Sequence, residues 1–400
     1  MYTERLYLEQ PYLIEFEARI IDSIDHADSF AIVLDRSAFY PTSGGQMFDT
    51  GFINGIKVKN VVEEKNKILH FPETKINKTL VNCQIDWSRR FDFMQQHTAF
   101  HILAQSFLQV LKAETQSSHL GEEFSTIDVN INTIDTKQVN KIEQLANQIC
   151  FENRIVKQYF VSPDEIEKIK LRALPTKGDK IRIVEIENFD IDPCGGTHVN
   201  STGQVGMIKI VAWEKLRGNL RFEFFAGTRA LLDYQKKWLI SKDIVNLVTE
   251  SEDKLVFSVE KLLSEVKKLS KQNALLNKHN IDYEVRSIID ETNRKNQKVL
   301  VQIFENRDPK YIRYLANQLI QKSDLWVLFG FKNEKAHLIF AHPECHDYNL
   351  NELLNQVAHL IEGKGGGRFN FVEAGGKFTK GIEEALEFAR VIVEKSVLNS

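Results

Sequence analysis

The sequence predicts a multidomain α+β protein: an N-terminal small β-barrel, an α+β middle domain, a helical or coiled-coil connector and a C-terminal α/β domain. Three observations carry this. Residues 1–87 hold short alternating runs with frequent turns, the pattern of a small barrel or sandwich. Residues 88–230 open on a long run without Gly or Pro and then alternate strands with a second helix. Residues 231–295 are polar and helical with apolar residues at heptad spacing, after which residues 296–400 return to strand and helix in turn. The 400-residue length suits several cores, at roughly 150 residues per domain.

Within residues 1–87, Ile14–Ile24 and Ser29–Asp35 read as strands, and Gly51–Glu63 as two strands around a turn. Phe39-Tyr40-Pro41-Thr42-Ser43-Gly44-Gly45-Gln46 reads as a loop, because Pro and paired Gly break both periodicities. Arg89–Glu114 reads as a helix with Phe93, Phe100, Leu103, Phe107 and Leu108 on its apolar positions. A strand near Ser125–Ile131, a helix over Thr136–Asn153 and strands over Ile181–Ile186, Gly206–Trp213 and Leu220–Phe225 complete the middle domain. In the connector, Val245, Val248, Leu255, Val259, Leu262, Val266, Leu269 and Leu276 fit one a/d frame, with Glu252 and Asn273 at polar a positions. Its outer face carries Lys261, Lys267, Lys268, Lys271 and Lys278, a solvated face or a contact for RNA phosphate. The C-terminal segment reads as strand Lys298–Phe304, helix Pro309–Lys322, strands Leu325–Phe331 and Ala336–His342, helix Asn349–Ile361, a glycine loop and a helix Gly381–Leu398.

Composition narrows the function. Net charge is −3, so any nucleic-acid contact must come from local patches. The four cysteines, Cys83, Cys150, Cys194 and Cys345, form no CxxC pair, which excludes a disulfide scaffold and fits a reducing compartment. The N-terminus lacks the apolar core of a signal peptide, and no run of about 18 apolar residues exists to span a membrane. A cytoplasmic protein with no membrane contact is expected.

The chemistry concentrates in two pairs. His97 and His101, four apart on a predicted helix, share one face. Cys194 and His198 have the same spacing in Asp192-Pro193-Cys194-Gly195-Gly196-Thr197-His198, where two glycines turn the chain. Three imidazoles and one thiolate suit a single zinc ion per chain. Four protein donors describe a closed structural site, whereas hydrolytic zinc keeps a position for water; the sequence is compatible with both.

These residues carry a resemblance. HTAFH and CGGTH, with FYPTSGGQ upstream, resemble the editing domain of alanyl-tRNA synthetase and the freestanding AlaX-type editing proteins. The flanks extend it: Arg90–Met94, Ser117–Gly121, Ile181–Ile183 and Arg221–Gly227, covering about residues 1–230. Gly365-Gly366-Gly367-Arg368 and Ala374-Gly375-Gly376 resemble the glycine-rich loop of the synthetase's C-terminal domain, associated with tRNA binding and dimerisation, which gives the layout of the long AlaX form. Ser43 stands where the family has a first glycine, Thr42 where Glu is common, and Phe369 where Pro is usual. The resemblance implies that residues 88–230 form a zinc-containing editing domain. It further implies a trans-acting, ATP-independent hydrolase that deacylates mischarged tRNA(Ala), chiefly Ser-tRNA(Ala) and more weakly Gly-tRNA(Ala).

An alanine pocket strongly rejects neither glycine, smaller by one methyl, nor serine, which adds only a hydroxyl, so a second hydrolytic site is needed. Gln46, Thr98, Ser117, Ser118 and Thr197 are the hydroxyl and amide candidates for reading the serine side chain. Lys215, Arg217 and Arg221 around Gly218, and Lys364, Gly366, Gly367 and Arg368 in the C-terminal loop, are candidate tRNA contacts. A homodimer through the connector or C-terminal domain is a further expectation. The rival readings are a threonyl-type editing deacylase, a zinc hydrolase of small esters or amides, and an RNA-binding adaptor with structural zinc. His342, Cys345 and His346 form a second small cluster, read as an ordinary surface loop.

Overall fold

The computed structural model describes residues 2–26, 29–172 and 180–397. The chain divides into two compact units, Met1–Ile244 and Val245–Ser400, a division that falls inside the segment read as connector. The C-terminal residue of the predicted last helix, Leu398, lies outside the described residues.

In the first unit six strands close a ring in the order Glu15–His26, Ser29–Leu34, Lys67–Pro72, Ile56–Glu64, Gly51–Ile53 and Leu80–Ile85. Alternation sets which side chains fill it: along Leu80–Ile85 only Val81, Cys83 and Ile85 are buried, joining Ala18, Ile32, Leu34, Val58 and Ile68 in one core. Register shifts at Ile20/Asp22 and Val58/Asn60 are bulges of the kind that bend strands into closure. Lys67–Pro72 and Leu80–Ile85 are strands that sequence patterning did not single out.

Helix Trp87–Leu111 starts at Asp86, whose side chain accepts from Arg89 N, and ends at Lys112 in the left-handed region (φ 59°). Most of it is buried, because the barrel, helix Thr136–Phe151 and a four-stranded antiparallel sheet all have neighbouring surfaces to cover. That sheet runs in the order Ile208–Leu216, Asn219–Ala226, Ser125–Val129, Thr115–Leu120. Phe107 packs on Phe222 with ring centroids 4.7 Å apart. Polar residues on so buried a helix need partners: Gln96 spends its amide on the backbone N and O of Ala226. A second, three-stranded antiparallel sheet, Val156–Val161, Ile181–Ile186 and Asp190–Pro193, leads into the Cys-Gly-Gly segment.

The second unit is a five-stranded sheet in the order Val299–Glu305, Trp326–Lys332, Ala336–Ala341, Phe371–Gly376, Gly363–Arg368. Its first pair is parallel, crossed over by helix Pro309–Lys322, and the rest are antiparallel. Trp326 and Leu328 face one core with helices Leu350–Val357 and Ile382–Val397; Val327 and Phe329 face the other with Pro309–Lys322 and the buried end of Leu255–Arg294. Two expectations are corrected. The glycine loop is the edge strand Gly363–Arg368, which hugs its partner so closely that a Cβ on Gly365 would lie 2.0 Å from Glu373 O. The single heptad frame is interrupted: helix Thr228–Val248 ends at Thr249 (φ 55°), a 3-10 turn Glu252–Lys254 intervenes, and Leu255–Arg294 begins afresh. Beyond that break Leu262, Val266, Leu269 and Leu276 are all exposed.

Candidate functional site

Helix Trp87–Leu111 and the segment after strand Asp190–Pro193 bring all four predicted ligands together. Their donor atoms lie within 4.8 Å of one another. His97 Nε2 and His198 Nε2 are each 3.3 Å from Cys194 Sγ, and His101 Nε2 is buried with no hydrogen-bond partner in suitable geometry among the described residues. The outward nitrogens are all engaged. His97 Nδ1 is 2.8 Å from Gln46 Oε1, His101 Nδ1 is 3.3 Å from Asp190 Oδ2 and His198 Nδ1 is 3.3 Å from Thr98 Oγ1. For His97 and His198, an Nδ1–H given outward to oxygen leaves the Nε2 lone pair facing inward, the arrangement of metal-binding histidines; His101 Nδ1 also has Arg172 Nη2 at 3.2 Å. The glycines belong to this geometry: a Cβ on Gly196 would lie 2.1 Å from His97 Cε1. The orphaned His101 nitrogen, the space kept by Gly196 and the donor set of three imidazoles and one thiolate all fit zinc.

The charges agree. Burial opposes ionisation of Cys194, but the imidazoles of His97 and His198 hold its thiol well below its ordinary range. Burial, reinforced by His97, holds His198 well below the usual imidazole range. Burial also opposes a charge on His101, yet the Asp190 hydrogen bond and Cys194 outweigh it and lift His101 to about 9. Burial pushes Asp190 up, but His101 and Arg172 hold it below the usual carboxylate range. A metal bound by this set would be held by the Cys194 thiolate and would take the place of a proton on His101.

Three residues missed in the sequence hold the site. Arg182 donates to Cys194 O at 2.9 Å, Gly196 O at 2.8 Å and Leu8 O at 3.1 Å, fixing the Cys-Gly-Gly turn against the N-terminal segment. Asp190 orients His101, and Arg172 braces Asp190 and Asp192 at 2.9 and 2.5 Å. Alternation of Asp190, Asp192 and Cys194 on one strand face was the available signal for Asp190.

The structure separates the pocket candidates. Gln46, Thr98 and Thr197 are fully buried and each is held by neighbouring side-chain or backbone groups. Gln46 Nε2 donates to Thr197 Oγ1 and its Oε1 accepts from Thr197 N. Thr98 Oγ1 donates to Met94 O and accepts from Val199 N. Ser117 turns away to Asp128, whose carboxylate also holds Arg221 at 2.7 and 2.8 Å, so Arg221 is occupied within its sheet. Ser118 stays half-buried beside the glycine loop, where a Cβ on Gly45 would come within 2.9 Å of its carbonyl. Lys215 and Arg217 are exposed at the turn of hairpin Ile208–Ala226, with Arg217 and Gly218 both at positive φ. Lys364, Gly366, Gly367 and Arg368 line the exposed edge strand of the second unit.

His97, His101 and His198 are sealed, whereas Cys194 is only partly covered. A cleft of about 370 Å³ reaches Cys194; Arg5, Lys180 and Arg182 line it with Tyr7, Tyr40 and Phe160.

Family models match three stretches: class II (A) tRNA synthetases over residues 7–89, the second additional domain of threonyl and alanyl tRNA synthetases over 181–223, and the DHHA1 domain over 296–395. The chain is 31% identical over 398 residues to an alanyl-tRNA editing protein, AlaX-L, of Pyrococcus horikoshii, covering 96% of this chain and 97% of that one. It is 30% identical over 400 residues to the alanine–tRNA ligase of Pyrococcus furiosus and 31% over 402 to that of Methanoregula boonei, spanning 43% of each ligase. The C-Ala domain of Aquifex aeolicus alanyl-tRNA synthetase aligns at 24% identity and a TM-score of 0.23, over 24% of this chain and 88% of that domain. The relatives place the chain among aminoacyl-tRNA deacylases, a class of carboxylic ester hydrolase. The chain belongs to the family of AlaX-L alanyl-tRNA editing proteins.

Proposed function

We propose that this protein hydrolyses the ester of mischarged tRNA(Ala) in trans, Ser-tRNA(Ala) foremost and Gly-tRNA(Ala) more weakly, with one zinc ion held by His97, His101, Cys194 and His198. The observation that carries this reading is the convergence of four ligand atoms within 4.8 Å of one another, with His101 Nε2 buried and without a hydrogen bond among the described residues. When bound, zinc supplies Lewis acidity for the ester carbonyl. The chain supplies the rest. With three ligands sealed, the ester approaches from the Cys194 side, through the cleft lined by Lys180, the Arg5–Glu63 ion pair and the rings of Tyr7, Tyr40 and Phe160. Ser118, beside Gly45, is the hydroxyl put forward for reading serine. Lys215 and Arg217 on one unit, and Lys364 and Arg368 on the other, are proposed contacts for tRNA phosphate.

Deacylation of Ser-, Gly-, Ala- and Thr-charged tRNA, with and without chelator, tests this directly. Loss of Ser-tRNA(Ala) hydrolysis on chelation and on Cys194→Ala is expected. Faster turnover of Thr-charged tRNA would favour the threonyl-type reading, and tRNA binding without ester cleavage the adaptor.

A further inference from the structure

The second unit brings together a group that its sequence keeps apart. Strands Trp326–Lys332 and Ala336–Ala341 are antiparallel with Val327 opposite Ala341, so residues just before the first and just after the second share one end of the sheet. There Asp324 meets Cys345 and His346, with their donor atoms within 4.8 Å of one another. Asp324 Oδ1 is 2.8 Å from His346 Nε2 and 3.9 Å from Cys345 Sγ. His342, adjacent in sequence, is excluded, because its Nδ1 and Nε2 are tied to Pro343 O and Tyr348 O at 2.7 and 2.8 Å. Its ring serves another purpose. It packs at a tilt of 34° on the buried Trp326, ring centroids 4.5 Å apart, and Trp326 in turn lies 5.3 Å from the His346 ring. The loop bearing Cys345 and His346 is thereby held in place before any ligand arrives, which lowers the entropy cost of closing a chelate.

We propose that Asp324, Cys345 and His346 form a second metal site, selective for zinc or a similar borderline-soft divalent ion. A thiolate, an imidazole and one carboxylate match zinc and not the all-oxygen shells of calcium or magnesium. Three protein donors at a surface leave at least one position to water and bind more weakly than the buried four-donor centre. The alternative is an ion pair between His346 and Asp324 with a neighbouring thiol, which binds no metal.

The test uses the full, untagged chain, stripped by chelator and titrated with zinc against a chromophoric competitor. Wild type should take two equivalents, and Cys345→Ser/His346→Gln one. Asp324→Asn should weaken the looser equivalent by about 10-fold or more. With cobalt(II), the Cys194→Ser variant should retain a thiolate-to-metal charge-transfer band that disappears in Cys194→Ser/Cys345→Ser. All three side chains lie at the surface or near it, so unchanged circular-dichroism melts should accompany these losses. Equal zinc uptake by wild type and Cys345→Ser/His346→Gln, or no thiolate band in Cys194→Ser, overturns the proposal. Failure of the buried centre reads differently: one equivalent would remain, removed by Cys345→Ser and indifferent to Cys194→Ser.

Discussion

Gln46 Oε1 lies 2.8 Å from His97 Nδ1, so a side chain from the glycine loop of the barrel sets the orientation of a ligand on the long helix. The same amide also holds Thr197, the residue between the glycine pair and His198. Gln46→Ala leaves His97 Nδ1 and Thr197 N unpaired in a buried place. Zinc affinity should fall 10- to 100-fold, measured by competition with a chelator, and deacylation at saturating zinc should recover in part. A Gln46→Ala protein with unchanged zinc affinity would show that the barrel merely neighbours the centre.

Gly196 carries a different constraint, one of space. Its missing Cβ leaves room for the His97 ring, which an alanine would meet at 2.1 Å. Gly196→Ala must therefore move His97 or the Cys-Gly-Gly turn, at about 1–3 kcal/mol of strain. Gly195, where a Cβ meets nothing within 4 Å, is the control. Gly196→Ala should lose zinc and deacylation, while Gly195→Ala keeps both; zinc content of the purified variants checks it.

The barrel is fastened to the helix by a buried ion pair. Arg90 and Asp49 are both fully buried, with Arg90 Nε 3.0 Å from each Asp49 carboxylate oxygen and Arg90 Nη1 2.8 Å from Pro11 O. Removing one partner strands the other charge, so Asp49→Ala should lower stability by about 3–5 kcal/mol. Asp49→Leu/Arg90→Met should lose much less than the sum of its single changes. Urea denaturation of the four proteins gives the coupling.

What was legible in the sequence was what depends on local spacing. Asp308 and Pro309 mark the start of helix Pro309–Lys322, and the i, i+4 histidines announce their shared face on Trp87–Leu111. What was illegible depends on tertiary partners or on weak local preference. Gly363–Arg368 is a strand because Phe371–Gly376 offers a ladder, although glycine-rich segments ordinarily avoid strands. The heptad frame ran unbroken through Thr249 because apolar spacing carries no record of a left-handed residue there. Arg182 became visible only once strands Ile181–Ile186 and Asp190–Pro193 placed it beside the quartet. Asp324 likewise needed the sheet to set it against Cys345 and His346.

His70 supplies a pH test independent of the zinc site. It is fully buried in the barrel, where Nε2 sits 2.7 Å from Ser37 Oγ and Nδ1 3.3 Å from Ile32 O. Neutral imidazole satisfies both, donating from Nδ1 and accepting at Nε2. Burial pushes His70 down to about 4 from its ordinary 6.5, against the smaller upward pull of its backbone partners. Between those values the unfolded chain binds a proton that the folded one does not. The contribution of neutral His70 is thus complete above about pH 6.5 and is lost as pH falls towards 4, on the order of 3 kcal/mol in all. His70→Gln removes this titration while keeping a donor and an acceptor. The difference in urea stability between wild type and His70→Gln should therefore change across pH 7 to 4, against wild type at the acid end. Contributions from other carboxylates and from the Cys194 centre are common to both proteins and cancel. A difference that stays constant across this range would mean that His70 binds its proton as readily in the folded barrel as in the unfolded chain.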